Sequence, residues 1–259
     1  MTGLDRAGAL SAAFAPLSDV GRADAVIHRI GEAVTLGLLV DGDQLPSEND
    51  LADQLGVANG TVREALAVLR QRGLVETRRG RAGGSFIRAN EDALAALHLD
   101  RVKNISIAAL RDLGDESAAV FMATAKLAAE RAPVDTAVRL KADLADLRSA
   151  ATPAAARRAE ARFHIDVATA SQSVRLTHAT VRLQAELGPM VWLAGNHPDP
   201  DVVADRLEDL VVAVAAGDSE SARSVAEVHS AAAIRAAIGT HLALTDDHYD
   251  QRTARRPRP

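Results

Sequence analysis

Residues 55–66 read LGVANGTVREAL, and the fold of the N-terminal third of the chain turns on this stretch. Val62, Ala65, Leu66 and Leu69 recur at the spacing of one helix face. Asn59-Gly60, a turn signal, stands where that helix should begin. Burying the apolar face turns Arg63, Ala67 and Arg70 to the opposite side. Arginines there can reach phosphate or the O6/N7 edge of guanine, so the helix is a candidate for insertion into a DNA groove.

The flanks supply the rest of a module. Upstream, Val26, Ile30 and Val34 recur every four residues and predict a first helix over 22–39, ending near Gly37. The turn DGDQLPSEN follows, with Ser47 as N-cap and Asp50 three residues on, a variant of the capping box. Leu51, Ala52 and Leu55 give a short second helix stopped at Gly56. The helix of the opening stretch ends at Gly73, a suitable C-terminal residue. LVETRRGRAGGSFIR then reads as two short strands, 74–77 and 85–88, around a Gly- and Arg-rich turn. Three helices and a hairpin in that order predict a winged helix-turn-helix over 25–88, preceded by a loose Ala-rich arm at 1–24.

The bulk composition bounds what else the chain can be. Its 259 residues suffice for two domains, and 47% are hydrophobic but only 2% aromatic, which favours helices packed through small side chains. The absence of cysteine excludes disulfides, thiolate metal sites and cysteine nucleophiles. No signal peptide and no apolar run of membrane-spanning length is present, so a soluble, cytoplasmic protein without membrane contact is expected. The net charge of −5 gives no hint of nucleic acid. The case for DNA rests on charge placement: Arg72, Arg78, Arg79, Arg81 and Arg88 extend the positive surface through the wing, against Glu64 and Glu76.

A linker is expected at 89–103 and an all-α bundle at 104–241, giving a mainly α chain. Pro133, Pro153, Pro189, the 195–200 segment and Gly217-Asp218 divide the bundle into six or seven helices. The clearest starts with Thr152 as N-cap and Pro153 in the first turn. Residues 242–259 carry too little apolar content to fold and are expected to be a disordered, solvated tail.

LPSENDLADQLGVANGTVREALAVLRQRGLVETRRGRAGGSFI resembles the DNA-binding domain of the GntR family of bacterial transcription regulators, and the helical remainder is similar to the FadR-type (FCD) effector domain. The resemblance implies DNA contacts from Ser47, Glu48, Asn49, Asn59, Gly60, Thr61, Arg63, Arg70, Arg79, Arg81 and Gly83. It also implies a homodimer on a two-fold operator. The family's recognition helix usually starts Ser-Arg, where this chain has Ala58 and Asn59, and Asn49 replaces another common arginine. Asn59 is therefore expected to cap the helix one residue late, with contact to adenine as the less favoured role. Gly60 lets the backbone approach DNA, and Thr61 with Glu64 offers a second capping option.

Many FadR-type domains hold a divalent metal through an Asp and three His. Here Glu160 and His164 lie one turn apart on the edge of the face Ala156, Ala159, Phe163 and Val167. His229 lies in the interior series Ala222, Val225, Ala226, Ala233. The resemblance places the remaining ligand at Leu207, which cannot coordinate. Glu160, His164 and His229 can hold zinc, nickel or manganese. With one imidazole missing, a metal-free hydrogen-bonded cluster that contacts effector directly is preferred. Arg111 resembles a family arginine that pairs with an effector carboxylate, and His178, His197, His28 and His241 look structural or solvated.

These residues predict a regulator that senses a small organic acid and alters operator binding. The main alternative is a regulator for which the divalent ion is itself the signal. A metal-dependent enzyme is the remote one, since there is no HExxH, P-loop, nucleotide fingerprint or base beside the cluster.

Overall fold

The computed structural model describes residues 22–80, 83–88, 91–193 and 197–254. The chain divides into two compact units, Met1–Leu97 and His98–Pro259.

In the first unit, α1 (Arg22–Thr35) buries Val26, Ile30 and Val34. Ser47 then caps α2 (Glu48–Leu55), its hydroxyl oxygen accepting from the Asp50 amide at 3.2 Å and donating to the Asp50 carboxylate at 2.7 Å. In α3 (Asn59–Gln71) the predicted face is fully buried, with Val62, Ala65 and Leu69 at 0% exposure. Each leucine or valine so buried contributes about 1.5–3 kcal/mol relative to exposure. Strands β1 (Val75–Arg78) and β2 (Gly84–Ile87) pair antiparallel, Val75 opposite Ile87. The Asp43–Leu45 backbone runs along the other edge of β2, bonding through Leu45 N to Ser85 O and Ile87 N to Asp43 O. The wing turn depends on Gly83, where a Cβ would lie 2.6 Å from the Arg78 carbonyl oxygen.

The start of α3 corrects the expectation for Asn59. The extended residue at the cap position is Ala58 (φ −72°, ψ 147°), with no side-chain cap, and Asn59 is already helical. Thr61 and Val62 donate to the Ala58 carbonyl, so Thr61 lies inside the helix and the second capping option is not used. Gly56 closes α2, leaving Val57 and Ala58 as the connector. Burial of Val62 and Leu66 then fixes the helix register whatever side chain stands at its start.

Two further expectations change. The segment read as a linker at 89–103 holds helix α4 (Glu91–Asn104), and the boundary between the two units falls inside it. The segment read as a disordered tail is helical as far as Ala254, because the last helix runs on from the bundle. Of the N-terminal arm, residues 1–21 lie outside the described residues, and 22–24 belong to α1.

The second unit is an all-α bundle of α5 (Ile107–Arg131), α6 (Thr136–Arg148), α7 (Pro153–Ala170), α8 (Val174–Val191), α9 (Pro200–Ala216) and α10 (Ser219–Ala254). Thr152 caps α7 by accepting from the Ala155 amide at 3.1 Å, with Pro153 in the first turn. Small residues let the helices approach closely. At Gly114 of α5 a Cβ would sit 2.6 Å from Ile234 of α10, so this glycine is a close-packing position. No helix among the described residues is long and apolar enough to cross a membrane.

Candidate functional site

The first candidate surface is α3 with the wing. Ser47, Asn49, Asn59, Gly60, Arg63, Arg70 and Arg79 are exposed, and Glu48, Thr61 and Gly83 are half-buried. Arg81 lies outside the described residues. Ser47 is occupied as a cap and Gly83 shapes the wing turn. Arg63 donates from Nε to Glu48 at 2.8 Å, tying α3 to α2. Arg70 donates to Thr77 Oγ1 at 3.3 Å. Glu76 accepts from Arg78 at 2.7 Å and Arg88 at 2.8 Å, and the Arg78 guanidinium lies 4.3 Å over the Phe86 ring. Those arginines, Arg78 foremost, hold the Glu76 carboxyl below its ordinary range. The pairing of these charges is not legible in the sequence, since α2 meets α3, and β1 meets β2, only in the fold.

The second site lies inside the bundle. Helix α7 carries Glu160 and His164 on one inward face, and α10 supplies His229; all three are at most 5% exposed. His229 Nε2 stands 3.2 Å from Glu160 Oε1 and 3.2 Å from His164 Nε2. One proton on His229 Nε2 can be shared towards both neighbours, leaving His164 as the Nδ1–H tautomer. The Nδ1 atoms of both rings are buried without a hydrogen-bond partner. Phe121 packs on the His164 ring at 4.0 Å between centroids. Trp192, 2% exposed at the end of α8, donates its indole N–H to Glu160 Oε2. Nothing in the spacing of Trp192 pointed to this contact.

Electrostatics follows from the burial. Burial, reinforced by the charge of His229 and only partly opposed by Glu160, pushes the His164 imidazole down to about 3. For Glu160, burial acts upward, but the hydrogen bond and charge of His229 and the Trp192 hydrogen bond outweigh it and hold the carboxyl below its usual range. The cluster is thus an ionised carboxylate facing a neutral His164 imidazole.

This donor set fits a first-row divalent ion. Ligands about 2.0–2.1 Å from a tetrahedral centre lie about 3.3 Å apart, close to the two 3.2 Å separations here. The ligand atoms of Glu160, His164 and His229 all lie within 4.8 Å of one another. Leu207, at the remaining ligand position, is wholly buried in the apolar core and does not line the cavity beside the cluster. That cavity, about 20 Å³, is bordered by Ser117, Gln184, Leu187, Val191 and Ser230 among others. It has room for little more than one water. Arg111 is exposed and stands apart from it, contrary to its expected role with an effector. His178 is exposed as expected, and His241 bonds the Val102 carbonyl at 2.8 Å.

A winged helix-turn-helix joined to an all-α domain with a buried polar cluster defines a DNA-binding transcription regulator with an effector-binding domain. Residues 22–84 match the gntR family of bacterial regulatory proteins and residues 118–243 match the FCD domain. The chain is 40% identical to the proposed transcriptional regulator RmpR of Mycobacterium gastri, over 89% of this chain and 85% of that one. It is 28% identical to a proposed L-lactate dehydrogenase operon regulatory protein of Escherichia coli, over 80% of this chain and 82% of that one. Among solved structures, E. coli McbR/YncC shares the fold with a TM-score of 0.53 at 18% identity, covering 86% of this chain and 99% of that one. The chain belongs to the GntR family and is a transcription regulator, not an enzyme.

Proposed function

We propose that the helical unit senses a small organic acid at the Glu160–His164–His229 cluster, through a divalent ion held by those three residues. Occupancy then alters operator binding by a homodimer. DNA contact is assigned to Arg63, Arg70, Arg79, Asn49, Asn59, Gly60 and Thr61, with Ser47, Glu48 and Gly83 positioning them. The carrying observation is the lining of the cavity: among the described residues it holds no arginine or lysine, and its one carboxylate, that of Glu160, is held below its usual range by its partners. An acid entering there must widen a cavity that now holds little more than one water, and it meets Ser117, Gln184 and Ser230 as neutral partners and Glu160 as a like charge. A bound divalent ion supplies the positive charge that the side chains lack. The L-lactate dehydrogenase operon regulatory protein among the relatives supports a short hydroxy acid as the class to try first.

The test is DNA affinity measured on the fragment upstream of the protein's own gene. The protein is stripped with chelator or reloaded with Zn(II), with and without L-lactate and other short acids. The expected result is an acid-dependent change of about 5–150-fold that needs the ion. An equal change in chelated protein would assign recognition to the metal-free cluster. A change with the ion alone would make the ion itself the signal.

A further inference from the structure

The two oxygens of Glu160 face different partners. Oε1 is 3.2 Å from His229 Nε2, within the cluster, while Oε2 takes the indole N–H of Trp192 from a different helix. The side chain of Glu has one more rotatable bond than that of Asp, so its carboxylate needs an outer contact to hold one presentation. The two imidazoles lack such a contact, since each Nδ1 is buried without a hydrogen-bond partner, although metal-bound histidines usually have one there. Trp192 is well placed to supply it. Its ring is almost wholly buried and its amide donates to the Gly188 carbonyl at 3.0 Å.

We propose that Trp192 is the positioning residue of the cluster. By occupying Oε2 it leaves Oε1 as the single carboxylate donor beside two imidazole nitrogens, and it thereby sets affinity and selectivity for the ion. This rests on the divalent-ion reading above. One-oxygen presentation suits a four-coordinate ion such as Zn(II) and disfavours larger ions that take carboxylates through both oxygens.

The experiment uses the full-length chain labelled with ¹⁵N. Trp192 is its one tryptophan, so a single indole N–H signal reports the contact. Zn(II) is titrated by calorimetry and by this signal. Wild type is expected to bind Zn(II) with the indole signal shifting at the calorimetric midpoint, and Glu160→Gln is expected to move that signal in metal-free protein. Trp192→Phe, with its fold checked by circular dichroism, should bind Zn(II) roughly 10–100-fold more weakly and discriminate less against Mn(II). Unchanged Zn(II) affinity in Trp192→Phe overturns the proposal. So does an indole signal that stays still while calorimetry records Zn(II) binding to wild type, a measurement that stands even if the variant does not fold. Absence of Zn(II) binding by wild type removes the ion reading itself and the positioning role with it. That outcome is distinguishable, because Glu160→Gln would still move the indole signal.

Discussion

Arg63 and Glu48 form an exposed ion pair, their side chains 67% and 40% accessible, so the pair contributes little to folding. Its value lies in geometry. Glu48, the first residue of α2, holds the guanidinium of Arg63 in one orientation on α3. A fork fixed in advance loses less freedom when it meets a guanine edge. Arg63→Ala should therefore leave urea stability nearly unchanged while weakening binding to the upstream fragment by about 1–3 kcal/mol. Glu48→Gln should act differently. If α3 meets DNA as proposed, losing this carboxylate should raise affinity for random DNA, and losing the orientation should narrow the preference for the upstream fragment. Fluorescence anisotropy with both DNAs checks each variant. A Glu48→Gln protein whose preference equals that of wild type would show that Arg63 needs no such positioning.

At the level of elements, the unusual beginning of α3 has a measurable cost. Ala58 occupies the cap position with extended backbone and an exposed side chain, and its Cβ offers nothing to the first amides of the helix. Ala58→Ser should place a hydroxyl there without backbone change and stabilise the winged unit by about 1 kcal/mol, read as a shifted urea midpoint in far-UV circular dichroism. An unmoved midpoint would mean that the first amides are satisfied by water. The same site shows where sequence reasoning stops. Val62, Leu66 and Leu69 identified α3 because burial follows helical period, whereas the position of its first turn is set by the short connector after Gly56. Likewise Glu160, His164 and His229 were readable from interior series on α7 and α10. Trp192 was not, since a contact between residues 32 apart in sequence depends on how α7 and α8 pack. Arg111 misled for the opposite reason: resemblance located it, but the face it occupies on α5 points to solvent.

For the molecule as a whole, stability against acid depends on buried groups of the helical unit that titrate in opposite senses, Asp143 and His164 among them. Asp143 of α6 is 8% exposed and its Oδ2 has no hydrogen-bond partner. Burial first, then the charges of Asp166 and Asp146, push its carboxyl up to about 7, against the charge and 3.4 Å hydrogen bond of Arg162. Its protonated form stabilises the fold below the ordinary carboxylate value of 3.8, and that contribution is lost as pH rises through 7. His164 works the other way. With its folded value depressed to about 3, the neutral ring stabilises the fold above the ordinary 6.5, and the contribution is lost as pH falls towards 3. Between 3.8 and 6.5 the two slopes, each about 1.4 kcal/mol per pH unit in the limit, oppose one another. Asp143→Asn removes only the first. Its stability should fall more steeply than that of wild type on acidification from 6.5 towards 3.8, and should equal or exceed wild type above 7. Urea unfolding followed by Trp192 emission measures this in the helical unit alone, since the one tryptophan lies there; chelator must be present so that no ion competes for His164. Parallel curves for the two proteins would mean that Asp143 stays ionised in the fold, beside Arg162.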